Sequence, residues 1–192
     1  MAVSYGPIMG VGVIDGQGTM TMDRHIEKAS QTFKQGVPLT LTGHSGTAAE
    51  CAFGGAEIVY GVSLEAGHNL SSAAVDPANA EYSFGTPANQ SSARIHPAGT
   101  WPVDGRVGFM RADGRNLFAI MLKSGQVFTT AMIGGTYGLT KDGTTGFWYL
   151  DNTDTTGDNA VAVVYDVDPN SPNSATNGAR VFFQFAEALR AF

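Results

Sequence analysis

The stretch AEIVYGVSLEAGHNLSS, residues 56–72, decides how the whole chain is interpreted. Its first half alternates apolar residues with a period of two, which predicts a β-strand. The predicted core face carries Ile58, Tyr60, Val62 and Leu64, and Val59 points to the opposite face. Its second half contains Gly67, Asn69 and serines, which favour a turn. Glu65 and His68 lie in that turn without a nucleophile beside them, so we expect a subunit contact there and no catalysis.

The rest of the chain repeats this combination of short strands and turns. Of its 192 residues, 25 are glycine and only 15% are charged, which argues against long surface helices. Turn residues separate further strand candidates, and KSGQ (123–126) predicts a tight hairpin between two of them. These candidates are VPLTLTG, TAAECAF, RVGFMRA, NLFAIMLKSG, QVFTTAMIGG, GFWYLDN, NAVAVVYDV and ARVFFQFAE. The predicted fold class is all-β, an antiparallel barrel or sandwich of short strands.

Three segments stand apart from these strands. Residues 1–18 are rich in glycine and predict an extended N-terminal arm, followed by a single β-rich domain over 19–192. Residues 71–105 hold four prolines and predict a long irregular loop, whose large side chains suit a contact with a partner. Residues 23–36 fit a helix beginning at Asp23, but residues 20–28 also alternate as a strand would, and periodicity does not decide between them.

Charge and composition exclude several classes of function. The formal net charge is -6 and no basic run exists, so direct binding of nucleic acid is not expected. No apolar run approaches the roughly 20 residues that span a bilayer, so we expect no membrane partner. The N-terminus lacks the basic and apolar regions of a signal peptide, which predicts synthesis in the cytoplasm without export. The single cysteine, Cys51, predicts a buried apolar position and excludes an internal disulfide.

No stretch carries a specific catalytic or cofactor signature. GHSGT (43–47) resembles a nucleophile elbow, but Thr47 replaces the last glycine, and a turn between two strands is the favoured interpretation. The four histidines lack metal-ligand spacing. DNTDTTGDN (151–159) reads as an Asp-rich turn, since Val163 stands where a calcium loop needs glutamate, although weak calcium binding stays open. We therefore predict no enzyme activity, no cofactor and no metal site.

Three segments together resemble the capsid decoration, or cement, proteins of tailed bacteriophages. One segment has the form F-x-x-G-x-P, with Phe33, Gly36 and Pro38. The second carries Ile58, Gly61, Val62, Ser63, Glu65, Asn69 and Leu70, and the third is the final strand RVFFQFAEAL. The resemblance covers about a third of the chain, roughly residues 30–75 and the C-terminus.

This resemblance implies a homotrimer on the outer surface of the virion that clamps adjacent major capsid subunits. The residues expected to contact the capsid or another subunit are Tyr5, Pro7, Ile8, Met9, Val11, Glu65, His68, Tyr82, Phe84 and Trp101. One alternative is a head-fibre or tail-associated β-module that binds another virion protein, or glycan through Trp101, Trp148 or Tyr149. A second alternative is a serine hydrolase built around Ser45 and His68, for which we expect no labelling by an active-site probe.

Overall fold

The protein is a β-sandwich of two antiparallel sheets, neither of which closes into a barrel. The computed structural model describes residues 5–14, 19–28, 30–42, 47–53, 57–67, 106–175 and 178–186. Its strands are β1 (Met9–Val13), β2 (Met22–Ile26), β3 (Pro38–Thr42), β4 (Thr47–Glu50), β5 (Val59–Ser63), β6 (Arg106–Arg111), β7 (Asn116–Met121), β8 (Thr136–Lys141), β9 (Trp148–Asp151), β10 (Ala160–Val167) and β11 (Arg180–Phe185). The prediction of an all-β antiparallel fold is confirmed, and the sandwich is the form it takes.

The two sheets differ in size, and on each side of the sandwich their edge strands are connected, by the chain or by a hydrogen bond. The first has six strands in the order β1-β7-β11-β10-β8-β9, and the second has five in the order β2-β6-β5-β3-β4. On one side the edge strands β1 and β2 are consecutive in the chain. On the other side the edge strands β9 and β4 are joined, since Trp148 Nε1 donates a hydrogen bond to Glu50 Oε1 at 3.0 Å.

Aromatic side chains fill the core of the first sheet. Phe118 of β7 and Phe183 and Phe185 of β11 are buried and lie with ring centroids 5.2–5.8 Å apart. Along β11 burial alternates, with Val181 also buried and Phe182 partly exposed. This period of two is the pattern of a sheet with one face on the core and one face outward.

For residues 23–36 the sequence left helix and strand open, and the structure shows a strand at their start. Met22–Ile26 is strand β2, whose His25 ring stacks on Phe109 of β6 at 6.2 Å between centroids. The alternating pattern of residues 20–28 was therefore the better guide. Pairing with β6 satisfies the backbone of this segment and places His25 against the buried Phe109, a tertiary contact that an isolated helix would lack.

A bulge explains a wrong assignment of faces in β5. Leu39 of β3 pairs with Gly61 and Thr40 pairs with Val59, so Tyr60 is one extra residue on β5. A bulge shifts the alternation by one position. Val59 and Val62 are consequently both fully buried, whereas Ile58, predicted for the core, is 46% exposed.

The segment after β7 was also predicted wrongly. Gly125 has a φ of +89° and makes a turn within KSGQ, as expected. However, β7 and β8 are not neighbours in the sheet, so the turn does not close a hairpin. The predicted strand QVFTTAMIGG contains instead a short 3₁₀ turn at Thr130–Met132.

The other loop predictions fall partly outside the described residues. The predicted loop 71–105 lies entirely outside them, as does most of GHSGT. Thr42 and Thr47, which flank that stretch, are paired partners of β3 and β4. The residues after GHSGT therefore form a strand, not the helix that a nucleophile elbow requires.

Candidate interaction surface

The N-terminal segment lies against the body of its own chain over residues 5–14. The Tyr5 hydroxyl accepts a hydrogen bond from the Ser124 backbone N–H at 2.7 Å, and its ring stacks on Tyr149 at 4.8 Å. Ile8 is only 2% exposed, and its N–H donates to the Gly36 carbonyl at 3.0 Å. The prediction that Ile8 contacts the capsid or another subunit placed it on the surface, whereas its side chain packs in the core.

Strand β1 presents two apolar side chains outward. Met9 pairs with Ala119 and Val13 with Asn116 of β7, and a bulge at Val11 lies between these pairs. Met9 is 38% and Val11 is 45% exposed. Gly10 points the other way, since a side chain there would overlap Met20 and Met110. Met9 and Val11 thus keep the exposure that a partner contact needs, and Pro7 is also exposed.

Met9 is one end of an apolar row on the outer face of the first sheet. In register across three strands, Met9 pairs with Ala119 and Ala119 pairs with Phe182, after which Phe182 pairs with Asp166 of β10. Paired residues share a face, and the adjacent Phe118 and Phe183 occupy the core face, so this row faces outward. We call Met9, Ala119 and Phe182 the outer apolar row.

Glu65 is both a structural residue and a surface residue. Its Oε1 accepts a hydrogen bond from the Gly108 N–H at 2.8 Å and lies 3.9 Å from the Arg24 guanidinium. The side chain lines an open groove of about 640 Å³ whose charged residues also include Asp23 and Arg106. The other predicted contacts, His68, Tyr82, Phe84 and Trp101, lie outside the described residues.

Two of the segments that resemble phage decoration proteins lie against each other. The Val37 N–H donates to Ser63 Oγ at 3.1 Å, and that hydroxyl donates to the Lys34 carbonyl at 3.2 Å. The Gly67 N–H donates to the Phe33 carbonyl at 2.8 Å. These bonds tie the start of β3 to the end of β5, so the described residues of the two segments form one structural unit.

A carboxylate network that sequence reasoning missed surrounds Asp151. Lys123 Nζ and Gln126 Nε2 each donate to its carboxylate at 2.6 Å, and the Thr153 backbone and hydroxyl donate to it as well. Burial alone would raise the pKa of Asp151, but these bonds outweigh burial and hold the pKa below its usual range. The carboxylate is fully engaged, and this favours the predicted Asp-rich turn over a metal ligand. No grouping of three metal-ligating side chains occurs in the described part of the chain.

Two aromatic residues that were candidates for sugar binding, Trp148 and Tyr149, make packing contacts within the protein. Trp148 is 4% exposed, donates to Glu50 and meets Phe53 edge to face at 5.2 Å. Tyr149 stacks on Tyr5. Trp148 is therefore no platform for a sugar ring.

Ser45 and His68, the residues considered for a serine hydrolase, both lie outside the described residues. Cys51 is buried, and that burial, more than the nearby Glu57 and Glu50, raises the pKa of its thiol well above the ordinary value. A thiol of this kind is a poor nucleophile.

Comparison with protein-family models, with curated proteins and with solved structures finds no match to this chain. Within the described ranges, no helix has the length and apolarity needed to cross a bilayer.

Proposed function

We propose that the protein decorates and stabilises the outer surface of a tailed-phage capsid, as a homotrimer that clamps adjacent major capsid subunits. In this role it is a structural virion protein, made in the host cytoplasm, with no catalytic function. The resemblance over residues 30–75 and the last strand suggests the role. The contacts between Ser63, Val37 and Lys34 support it, because they make the described residues of two matched segments one folded unit.

The observation that carries this proposal is the outer apolar row, which ends at the exposed Met9, with the exposed Val11 beside it. An outward sheet face in a small soluble domain is usually polar, so the apolar Met9 and the partly exposed Phe182 on this face favour a protein contact. Ala119 between them is covered, at 1% exposure. Val11 is 45% exposed at the same edge. A capsid surface offers such a partner, and three identical contacts in one trimer multiply a weak affinity.

A direct test of the assembly is the native mass of the purified protein. The proposal predicts three copies of the 20.1 kDa chain at micromolar concentration. A mass equal to one chain over the whole concentration range would contradict the proposed trimer. The alternative of a glycan-binding module is weakened, because Trp148 is buried and Tyr149 stacks on Tyr5. Trp101 lies outside the described residues.

A further inference from the structure

The N-terminal segment occupies a site that is shaped for it. We call this site the strand slot: the edge of β7 that faces away from β11, with Gly36, Ser124 and Tyr149 around it. Residues 9–13 pair with residues 116–119 of β7, and Ile14 N–H donates to the Arg115 carbonyl at 3.0 Å. The slot continues past the strand, because Tyr5 binds Ser124 and Tyr149 at its far end.

The strand slot is selective for the sequence of this segment. Ile8 fills a buried position, and Gly36 approaches Pro7 so closely that a side chain on Gly36 would overlap it. Gly10 passes over Met20 and Met110 with no room for a Cβ atom. The slot therefore fits an aromatic residue at position 5, an aliphatic residue at position 8 and a glycine at position 10.

The segment is an edge strand near the N-terminus, the kind of element that subunits can exchange. Its release breaks one ladder of hydrogen bonds together with the contacts of Tyr5 and Ile8. Eight residue steps join Ile14 to Met22, the first residue of β2. At ~3.3 Å per residue, this connection spans at most about 26 Å, so exchange requires the slot of the neighbouring subunit to lie within that distance.

We propose that the strand slot also takes residues 5–14 of a second copy, so that subunits of the oligomer exchange their N-terminal strands. This inference rests on the homotrimer of the proposed function. Exchange of identical elements conserves every contact made by Tyr5, Ile8 and Gly10, so it costs little. In a closed ring of three copies no slot stays empty, and the high local concentration of strands offsets the loss of the intrachain connection.

A disulfide experiment on the full-length chain tests the exchange. Met9 and Ala119 are cross-strand partners, a separation that suits a disulfide once both are cysteine. An affinity-tagged Met9→Cys chain is mixed with an untagged Ala119→Cys chain and oxidised after increasing times. We expect tagged–untagged covalent dimers in several-fold excess over a control pair, with a yield that rises with incubation time.

The control pair is Thr136→Cys with Val163→Cys, which are partners of β8 and β10 inside the same sheet. The double variant Met9→Cys/Ala119→Cys shows that the bond closes when the strand is seated. Adding Ile8→Asp to the Met9→Cys chain should abolish the mixed dimer, since a charge cannot enter the buried Ile8 site.

Mixed dimers at or below the control level, with the double variant closing its bond within one chain, would overturn strand exchange. The experiment contains no capsids, so its result can be told apart from a failure of the proposed function. If strands exchange but the protein does not bind capsids, strand exchange is supported and the proposed function is contradicted. If the protein binds capsids but strands do not exchange, only strand exchange is contradicted.

Discussion

Glu50 and Trp148 join the two sheets at one edge of the sandwich. Trp148 Nε1 donates to Glu50 Oε1 at 3.0 Å, and Lys141 Nζ donates to the second oxygen of the same carboxylate at 2.7 Å. Glu50 ends β4 of the second sheet, whereas Lys141 and Trp148 belong to β8 and β9 of the first. One carboxylate therefore fixes the relative position of both sheets.

Glu50→Ala should lower the free energy of unfolding by about 1–3 kcal/mol, because it leaves the buried indole N–H of Trp148 without an acceptor. Lys141→Ala is the matched control. The Lys141 side chain is 42% exposed, so the change should cost no more than ~1 kcal/mol. Urea denaturation followed by tryptophan fluorescence measures both variants, and equal losses would contradict the role assigned to the indole bond.

Asp151→Asn should destabilise the protein most at neutral pH. The folded-state pKa of Asp151 is depressed by its donors, so its stabilisation is complete above the unfolded pKa of about 3.9. That stabilisation is lost as pH falls further toward the folded pKa. The difference in unfolding free energy between wild type and variant should thus be constant above about pH 5 and shrink below about pH 4. A difference that grows on acidification would show that the carboxylate is not stabilised in this way.

Gly36→Ala should be more destabilising than Gly134→Ala. Both glycines have a left-handed φ, +77° and +78°, so both substitutions carry the same backbone strain. Only at Gly36 does the new methyl group also overlap Pro7, since space around Gly134 is open. Chemical denaturation gives the two losses, and limited proteolysis should cut the N-terminal segment faster in Gly36→Ala alone. Equal behaviour of the two variants would argue against the close seating of Pro7.

The double variant Met9→Ser/Val11→Ser should keep the stability of the wild type within about 0.5 kcal/mol but lose capsid occupancy. Val127→Ser/Ile133→Ser is the control, because those residues are similarly exposed, at 39% and 50%, on another part of the surface. Quantitative gel analysis of purified particles measures occupancy. Deletion of residues 2–16 is a poorer test than these substitutions, since it also removes β1 and the buried Ile8.

The local strand pattern was readable from the sequence because side-chain burial in a strand repeats every two residues. The segment ARVFFQFAE was predicted as a strand and forms β11, in which Val181, Phe183 and Phe185 alternate into the core. Where a bulge adds a residue, as at Tyr60, the same rule assigned Ile58 to the wrong face. No feature of the local sequence marks that bulge, because the pairing of β3 with β5 creates it.

Pairing and networks between distant residues could not be read from the sequence. Residues 9–13 pair with β7, more than one hundred positions away in the sequence. The described part of the predicted arm is therefore an edge strand. The donors of Asp151 likewise come from Lys123 and Gln126, on the turn after β7. The exposed Met9 and Val11 were named correctly as surface residues, but Ile8 was not, since its buried site is built by the Gly36 turn.

Rebinding to stripped capsids tests the central claim most directly. Capsids of the parent phage, purified from particles that lack this protein, are mixed with increasing amounts of the purified chain and sedimented. The proposed function predicts saturable co-sedimentation, a bound amount that is a multiple of three chains per capsid site, and greater resistance of the decorated capsids to heat. If the protein stays in the supernatant at every concentration while it remains folded, the assignment as a capsid decoration protein is wrong.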